Sequence, residues 1–320
     1  MANFRWILPI IVALVIFPAR ANSQASYADN SGQLHFSNLD SWYTRPVKES
    51  FVIGGERINL FQIGVENSTT LKTEINGSSP WGTSNLHARI GVDIANNCVF
   101  PEKRNGGYCC RMETKIRGIH LIGIKFDVLV TGAIFLGEFN EPVRSIKTPI
   151  KNMNHGIAFS KRPREVRFDY KCSPGQTRID TDKSGRAVPG VDKGEFCMIL
   201  QKRWEGPDGK VFAIRIGGVR AFFGDTNKQW INGASFPVKY GDIQNEPSYD
   251  PQTMGLIPSV GPMYVKNSKG VMVGLTEVNW GKGDETPTHL VMYFNSSYQG
   301  IDFIGSTDSK FWVDNISLVY

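Results

Sequence analysis

The chain lacks the residue spacings that most often announce a metal or a redox centre. It has five cysteines and five histidines in 320 residues, yet no C-x-x-C pair occurs, and His35, His87, His120, His155 and His289 stand far apart, so a zinc site has no support. Long amphipathic helical patterns are missing too, as are an internal repeat at fixed period and a low-complexity linker, which leaves one domain as the expectation. Net charge is small: +6 overall, falling to +4 once Arg5 and Arg20 are set aside with a leader segment. The basic residues are scattered, and the densest cluster, Lys161-Arg162-Pro163-Arg164, reads as a solvated loop, so nucleic acid is not an expected partner.

The beginning of the chain reads as an export signal. Arg5 precedes an apolar run from Trp6 to Phe17, interrupted by Pro9, and Ala19-Arg20-Ala21 places small residues where a signal peptidase reads. The run of about a dozen residues falls short of the roughly 20 needed to span a bilayer, so residues 1–21 are expected to be removed, with no retained transmembrane helix. The expected product is secreted, periplasmic or on the cell surface, with no lipid anchor, since no cysteine follows closely. Residues 22–35 would form a flexible mature N-terminus and 36–320 the domain.

Abundant Gly (33) and Pro (17) favour many short strands joined by turns. Period-two alternation marks Ile119 to Val130, Val166 to Tyr170 and Phe212 to Ile216, while Cys197 to Leu200, Ser235 to Tyr240, Val271 to Leu275 and Leu290 to Phe294 add further strands. Phe51-Val52-Ile53, Gly54-Gly55 and Ile58 to Ile63 read as strand, turn and strand. Gln244 to Met263 is the longest loop-like stretch. In the final segment Phe311 and Val313, with Asn315 and Ser317, are expected on one face, and Trp312, Asp314, Ile316 and Leu318 on the other. For the cysteines, export makes Cys172 to Cys197 one plausible bridge and Cys98 to Cys109 or Cys110 another, with an odd thiol left over.

Five blocks carry a family resemblance: Trp81-Gly82-Thr83-Ser84-Asn85, Gly107 to Thr114, Thr131 to Phe139, Arg162 to Gly175, and the terminal Lys310 to Tyr320. In this order they resemble the putative carbohydrate metabolism domain found in exported proteins of Bacteroidetes-type bacteria, across about Phe36 to Tyr320. Cys110 departs from the pattern, which has a small residue there. The resemblance implies an all-β, jelly-roll-like antiparallel β-sandwich that handles glycans, and hands over no catalytic mechanism.

Sugars pack C–H faces on flat rings and pair hydroxyls with amides and carboxylates, which singles out Trp81 with Asn85, Trp280 with Asn279, and Trp230 with Gln229 and Asn232. Trp81, between Pro80 and Gly82, either caps the core or lies open. Hydrolysis would need two carboxylates across a cleft, for which Glu113, Glu138 and Glu277 are candidates, each equally readable as a salt-bridged structural residue. By analogy with jelly-roll carbohydrate modules, a structural calcium is the one cofactor suggested, on Asp314 with Asn38 or Asp40 of an early strand; hydrogen bonding within the sheet is the alternative. Asp180-x-Asp182-x-Ser184-Gly185 has half of a calcium-loop spacing without its Glu and reads as a polar hairpin tip. Three functions follow: a non-catalytic module binding polysaccharides or oligosaccharides, a glycoside hydrolase, and a structural or adhesive envelope protein whose partners are other envelope proteins.

Overall fold

Alternating side chains build two facing sheets in the computed structural model, which describes residues 27–65, 79–121, 124–145 and 147–320. The expected signal peptide lies outside the described residues. The smaller, six-stranded sheet runs in the order Ile231–Pro237, Glu165–Ser173, Lys310–Val319, Gly107–Leu121 and Val99–Arg104, with Ile124–Thr131 paired to Gly107–Leu121. The larger, ten-stranded sheet has Ala133–Phe139, His289–Asn295, Gly194–Glu205, Val211–Phe223 and Met272–Trp280 as its consecutive inner strands. Pairing is antiparallel except between Val211–Phe223 and Met272–Trp280. The result is the expected all-β sandwich.

Its core lies between the sheets. Phe168 of the smaller sheet stacks on Phe236 at 4.5 Å between centroids and meets Phe196 and Phe294 of the larger sheet at 4.9 and 5.0 Å. The three fully buried rings, Phe168, Phe196 and Phe294, each contribute on the order of 1.5–3 kcal/mol relative to an exposed one. In Gly194–Glu205, Phe196, Met198 and Leu200 face this core, whereas Cys197 and Ile199 face outward into a second apolar cluster. That second cluster exists because the chain from Ile243 to Val265, with a single helical turn at Pro251–Met254, folds over the outer face and supplies Ile257, Met263 and Val265. The loop-like stretch of the sequence is therefore a cover.

Several local expectations are corrected. The alternation from Ile119 to Val130 divides into two strands, paired antiparallel from Leu121 opposite Ile124. Phe51–Ile53 is a turn of 3-10 helix, and the strand that pairs Arg57–Ile63 is Trp42–Lys48. Residues 27–35 are not a loose lead-in: Leu34 enters the main core, and the Gln33 side chain both donates to the Leu318 carbonyl at 2.5 Å and accepts from its N–H at 2.9 Å. In the last strand Asn315 takes φ 50°, and the register slips by one residue, so Ile316 and Leu318 turn to the core side with Phe311 and Val313. A bulge of this kind reverses the facing of everything beyond it.

All five cysteines are free and buried. Cys172 belongs to the core between the sheets while Cys197 points out of the opposite face of its sheet, which excludes the expected bridge. Burial pushes the thiols up, Cys98 to about 11 and Cys172 to about 12, so they behave as small apolar side chains. The acidic hairpin tip is as expected, joining Arg178–Asp180 to Arg186–Val188, with Lys183 on Asp180 at 2.9 Å.

Candidate functional site

The tryptophans singled out from the sequence are mostly structural. Trp81 is fully buried, its strand paired with Ala133–Phe139 and its ring near Phe294. Asn85 is buried as well: its amide donates to the carbonyls of Phe61 and Val99 at 2.9 and 2.7 Å, and its oxygen accepts from the N–H groups of Cys98 and Val99. Trp280 is buried with the Arg215 guanidinium over its ring at 5.2 Å. Asn279 is exposed, and as neighbours on a strand the two point to opposite faces. These pairs offer no shared platform.

Trp230 is half-buried, with Arg104 stacked on its ring at 3.9 Å. The same guanidinium donates to Asn232 at 2.6 Å, to Asp169 at 2.8 Å and to Asp314. Asp169 lies between two bulges, one in each neighbouring strand, and also accepts from Gly233 N–H at 2.6 Å and Asn315 at 2.9 Å. Burial pushes the Asp314 carboxyl above its ordinary value against the pull of Arg104; at Asp169 burial acts the same way, but the donors from Asn315, Gly233 and Arg104 bring it below. Arg104 thus supplies the counter-charge expected of calcium. Asp40 is exposed and accepts instead from Tyr108 N–H at 2.8 Å and Asn38 at 2.9 Å. Among the described residues no group of three or more His, Cys, Asp or Glu could hold a metal ion.

The three candidate acids do not converge either. Glu113, on the smaller sheet, pairs with Arg111 and with Lys115 at 3.0 Å. Glu138 pairs with Lys266, and Glu277 with Arg215, both on the larger sheet.

What the fold does assemble is a cleft of about 200 Å³ over the outer face of the larger sheet. Glu195 lies directly opposite Asn295 across one strand pair, and Cys197 lies opposite both Tyr293 and Arg220 across the two pairs of its strand. This register brings four side chains together on one face. Arg220 donates to Glu195 through Nε at 2.7 Å and pairs through Nη2 at 2.5 Å; Tyr293 donates its hydroxyl at 3.1 Å, and Asn295 its amide to the other oxygen at 2.9 Å. Arg220 also donates to the Thr253 carbonyl at 2.6 Å, which ties the cover to the floor. Burial pushes the Tyr293 phenol well above its ordinary value, so it is a hydrogen-bond donor and not a base. Among the described residues Glu195 is the sole carboxylate lining the cleft.

Apolar side chains make the walls: Phe139, Ile150, Met153, Val260, Met263 and Ile301. Tyr298 and Phe303, both half-buried, add ring surface at the rim. A second cavity of about 110 Å³ lies under the cover, lined by Ile199, Ile243, Met254 and Trp280, and shares Arg220, Tyr293, Val260 and Met263 with the cleft.

A family profile described as the putative carbohydrate metabolism domain matches residues 50–212, just over half of the chain. The chain belongs to this family. The family resemblance is thereby confirmed over that stretch, which holds four of the five sequence blocks and Glu195, while the terminal block and Arg220, Tyr293 and Asn295 lie beyond it. Among solved structures, the chain is similar to a putative glycoside hydrolase from Bacteroides vulgatus, with TM-score 0.51, 13% identity, and coverage of 88% of this chain and 96% of that one. It is also similar to a putative glycoside hydrolase from Bacteroides thetaiotaomicron, with TM-score 0.49, 15% identity, and coverage of 88% and 71%. At such identity the likeness to the first is one of fold. No curated protein matches.

His155 lines the same cleft and sets an expectation for pH. Burial holds it down to about 4 from an ordinary 6.5, and its Nδ1 faces the Tyr264 carbonyl at 3.1 Å, where only an N–H can stand. The unfolded chain takes up a proton near 6.5 and the folded one resists until about 4, so this residue's share of stability is fully present above pH 6.5 and is lost as pH falls through that window, by up to about 3 kcal/mol. Urea unfolding of the wild type and His155→Gln at pH 7.0 and 4.5 is expected to show a smaller drop in the variant. Equal drops would mean that His155 is protonated in the fold.

Proposed function

We propose that this protein is an exported carbohydrate-binding member of its family, and that saccharides bind in the cleft over the outer face of the larger sheet. One observation carries the reading: a buried carboxylate, an amide, a guanidinium and a phenol converge at the base of a concave, ring-flanked site. Asn295, held by its bond to Glu195, offers amide donor and acceptor chemistry that pairs with a sugar hydroxyl, and the Tyr298 and Phe303 rings suit the C–H faces of a pyranose. Export is supported by the apolar run from Trp6 to Phe17 and the Ala19-Arg20-Ala21 site. Binding is favoured over hydrolysis because retention or inversion needs a second carboxylate across the bond, and Glu195 is already committed to Arg220.

The test pairs a glycan array with reducing-sugar release from the same polysaccharides. Retention without release is expected, and Asn295→Ala is expected to weaken the retained glycan about tenfold, near 1.4 kcal/mol, by calorimetry. Unchanged affinity in that variant would remove the cleft from consideration. Sugar release by the wild type would establish a glycoside hydrolase instead, and retention of no glycan at all would leave the structural or adhesive reading.

A further inference from the structure

The distribution of polar atoms in the cleft narrows the ligand, granted that the cleft is the saccharide site. Hydrogen-bonding groups line the floor at Glu195, Arg220, Tyr293 and Asn295 and recur at Ser84, Asn96, Thr131 and His155, while the cover side, Val260 and Met263, and Met153 and Ile301 are aliphatic. An unsubstituted glycan carries hydroxyls around its whole perimeter, and each one pressed on an aliphatic wall without a partner opposes binding. The cleft, at about 200 Å³, is also smaller than the roughly 300–1,000 Å³ of ordinary ligand pockets. It fits a ring or two, not a long strand.

The second cavity adjoins the cleft and shares Arg220, Tyr293, Val260 and Met263 with it. It holds about 110 Å³, its lining includes Cys197, Ile199, Ile243 and Met254, and Val260 and Met263 of the cover stand at its boundary with the cleft. Val260 is half-buried and sits in an irregular stretch of chain, and Ile301 at the rim is 40% exposed, so apolar surface runs from solvent to the inner cavity. We propose that the natural ligand is a saccharide bearing a short apolar substituent, an alkyl or acyl chain, with the sugar on the Glu195–Asn295 floor and the chain along the Val260–Met263 wall. Each methylene taken out of water there tightens binding by about fourfold when fully buried.

Calorimetry on the full mature chain tests this with matched methyl and n-octyl glycosides of glucose, galactose, mannose and N-acetylglucosamine, below the micellar concentration, and with 1-octanol as control. For the sugar that is recognised, the octyl glycoside is expected to bind at least tenfold tighter than the methyl glycoside, and octanol at least tenfold weaker than the octyl glycoside. Val260→Asp and, at the exposed rim, Ile301→Asp are each expected to bring the octyl-to-methyl ratio toward one. Equal binding of methyl and octyl forms overturns the apolar substituent while leaving the saccharide site standing, provided that Asn295→Ala still weakens both. Octanol binding as tightly as the octyl glycosides, or no glycoside binding at all, overturns the proposal and the saccharide site together.

Discussion

Glu277→Ala is expected to cost about 3–5 kcal/mol of folding stability, measured by urea unfolding at pH 7. The Glu277 side chain is wholly out of solvent and Arg215 nearly so, and the carboxylate is fully used. Its Oε1 accepts from Arg215 Nε at 3.1 Å and Gln201 at 2.7 Å; its Oε2 accepts from Ile257 N–H at 2.9 Å and from Arg215 Nη2. Alanine would leave a guanidinium charge in a dry place with no counter-ion, together with an orphaned amide N–H. Removing one partner of such a pair is far costlier than removing both, so Arg215→Met with Glu277→Leu is expected to regain most of the loss. A loss below about 1 kcal/mol in Glu277→Ala would show that water reaches Arg215. The same pair also fastens the cover, since Arg215 donates to the Met254 carbonyl at 2.8 Å and Glu277 holds Ile257. The variant is therefore expected to lose cleft affinity along with stability.

The strands and the core were legible in the sequence because alternation reports which face is buried, and Val166 to Tyr170, Phe212 to Ile216 and Leu290 to Phe294 all lie in strands. Alternation is silent about a change of phase. Asn315 in the left-handed region inserts one residue, and the facing of Ile316 and Leu318 inverts without any shift in composition. Trp81 shows a different limit. Its Pro80 and Gly82 neighbours read as a turn in which the ring either caps the core or lies open; the segment is a strand, where a Cβ on Gly82 would come within 2.8 Å of Phe135 and 2.9 Å of the Gly137 carbonyl oxygen, and Trp81 is fully buried. A glycine beside an aromatic residue signals closeness as readily as exposure.

The cleft was not legible for a topological reason. Glu195, Arg220, Tyr293 and Asn295 come from three strands, and only the registers pairing Glu195 with Asn295 and Cys197 with both Tyr293 and Arg220 bring them together. The signal available in the chain was modest: a glutamate inside an otherwise apolar strand, Gly194 to Leu200, and outward polar tips in Tyr293-Phe294-Asn295. An acid in a strand buried on both faces needs a partner, and that need is what the sequence carries.

Asp192→Ala is expected to be comparably severe, at about 3–5 kcal/mol, for the opposite electrostatic reason. Asp192 is fully buried, and the partners that satisfy it are hydroxyls and backbone N–H groups: Ser297 at 2.5 Å, Ser309 at 2.7 Å, Ser306 N–H at 2.8 Å and Lys193 N–H at 2.9 Å. The network continues through the Thr114 hydroxyl, 2.6 Å from Ser297 and 2.8 Å from Ser296, and so joins a strand of the smaller sheet to the segment that follows His289–Asn295 of the larger one. Alanine leaves donors from three separate segments without an acceptor, in a place too enclosed for each to turn to water. Asp192→Asn keeps the shape but presents an amide N–H₂ to groups that are already donors, so a smaller loss of about 1–3 kcal/mol is expected from the same urea titration. Equal losses in the two variants would mean that packing, not acceptor count, holds the site. Because Ser297 stands two residues from Asn295, the alanine variant is also expected to loosen the cleft floor, whereas a variant that lost stability but kept full glycan affinity would show that the network holds the sandwich together independently of the binding face.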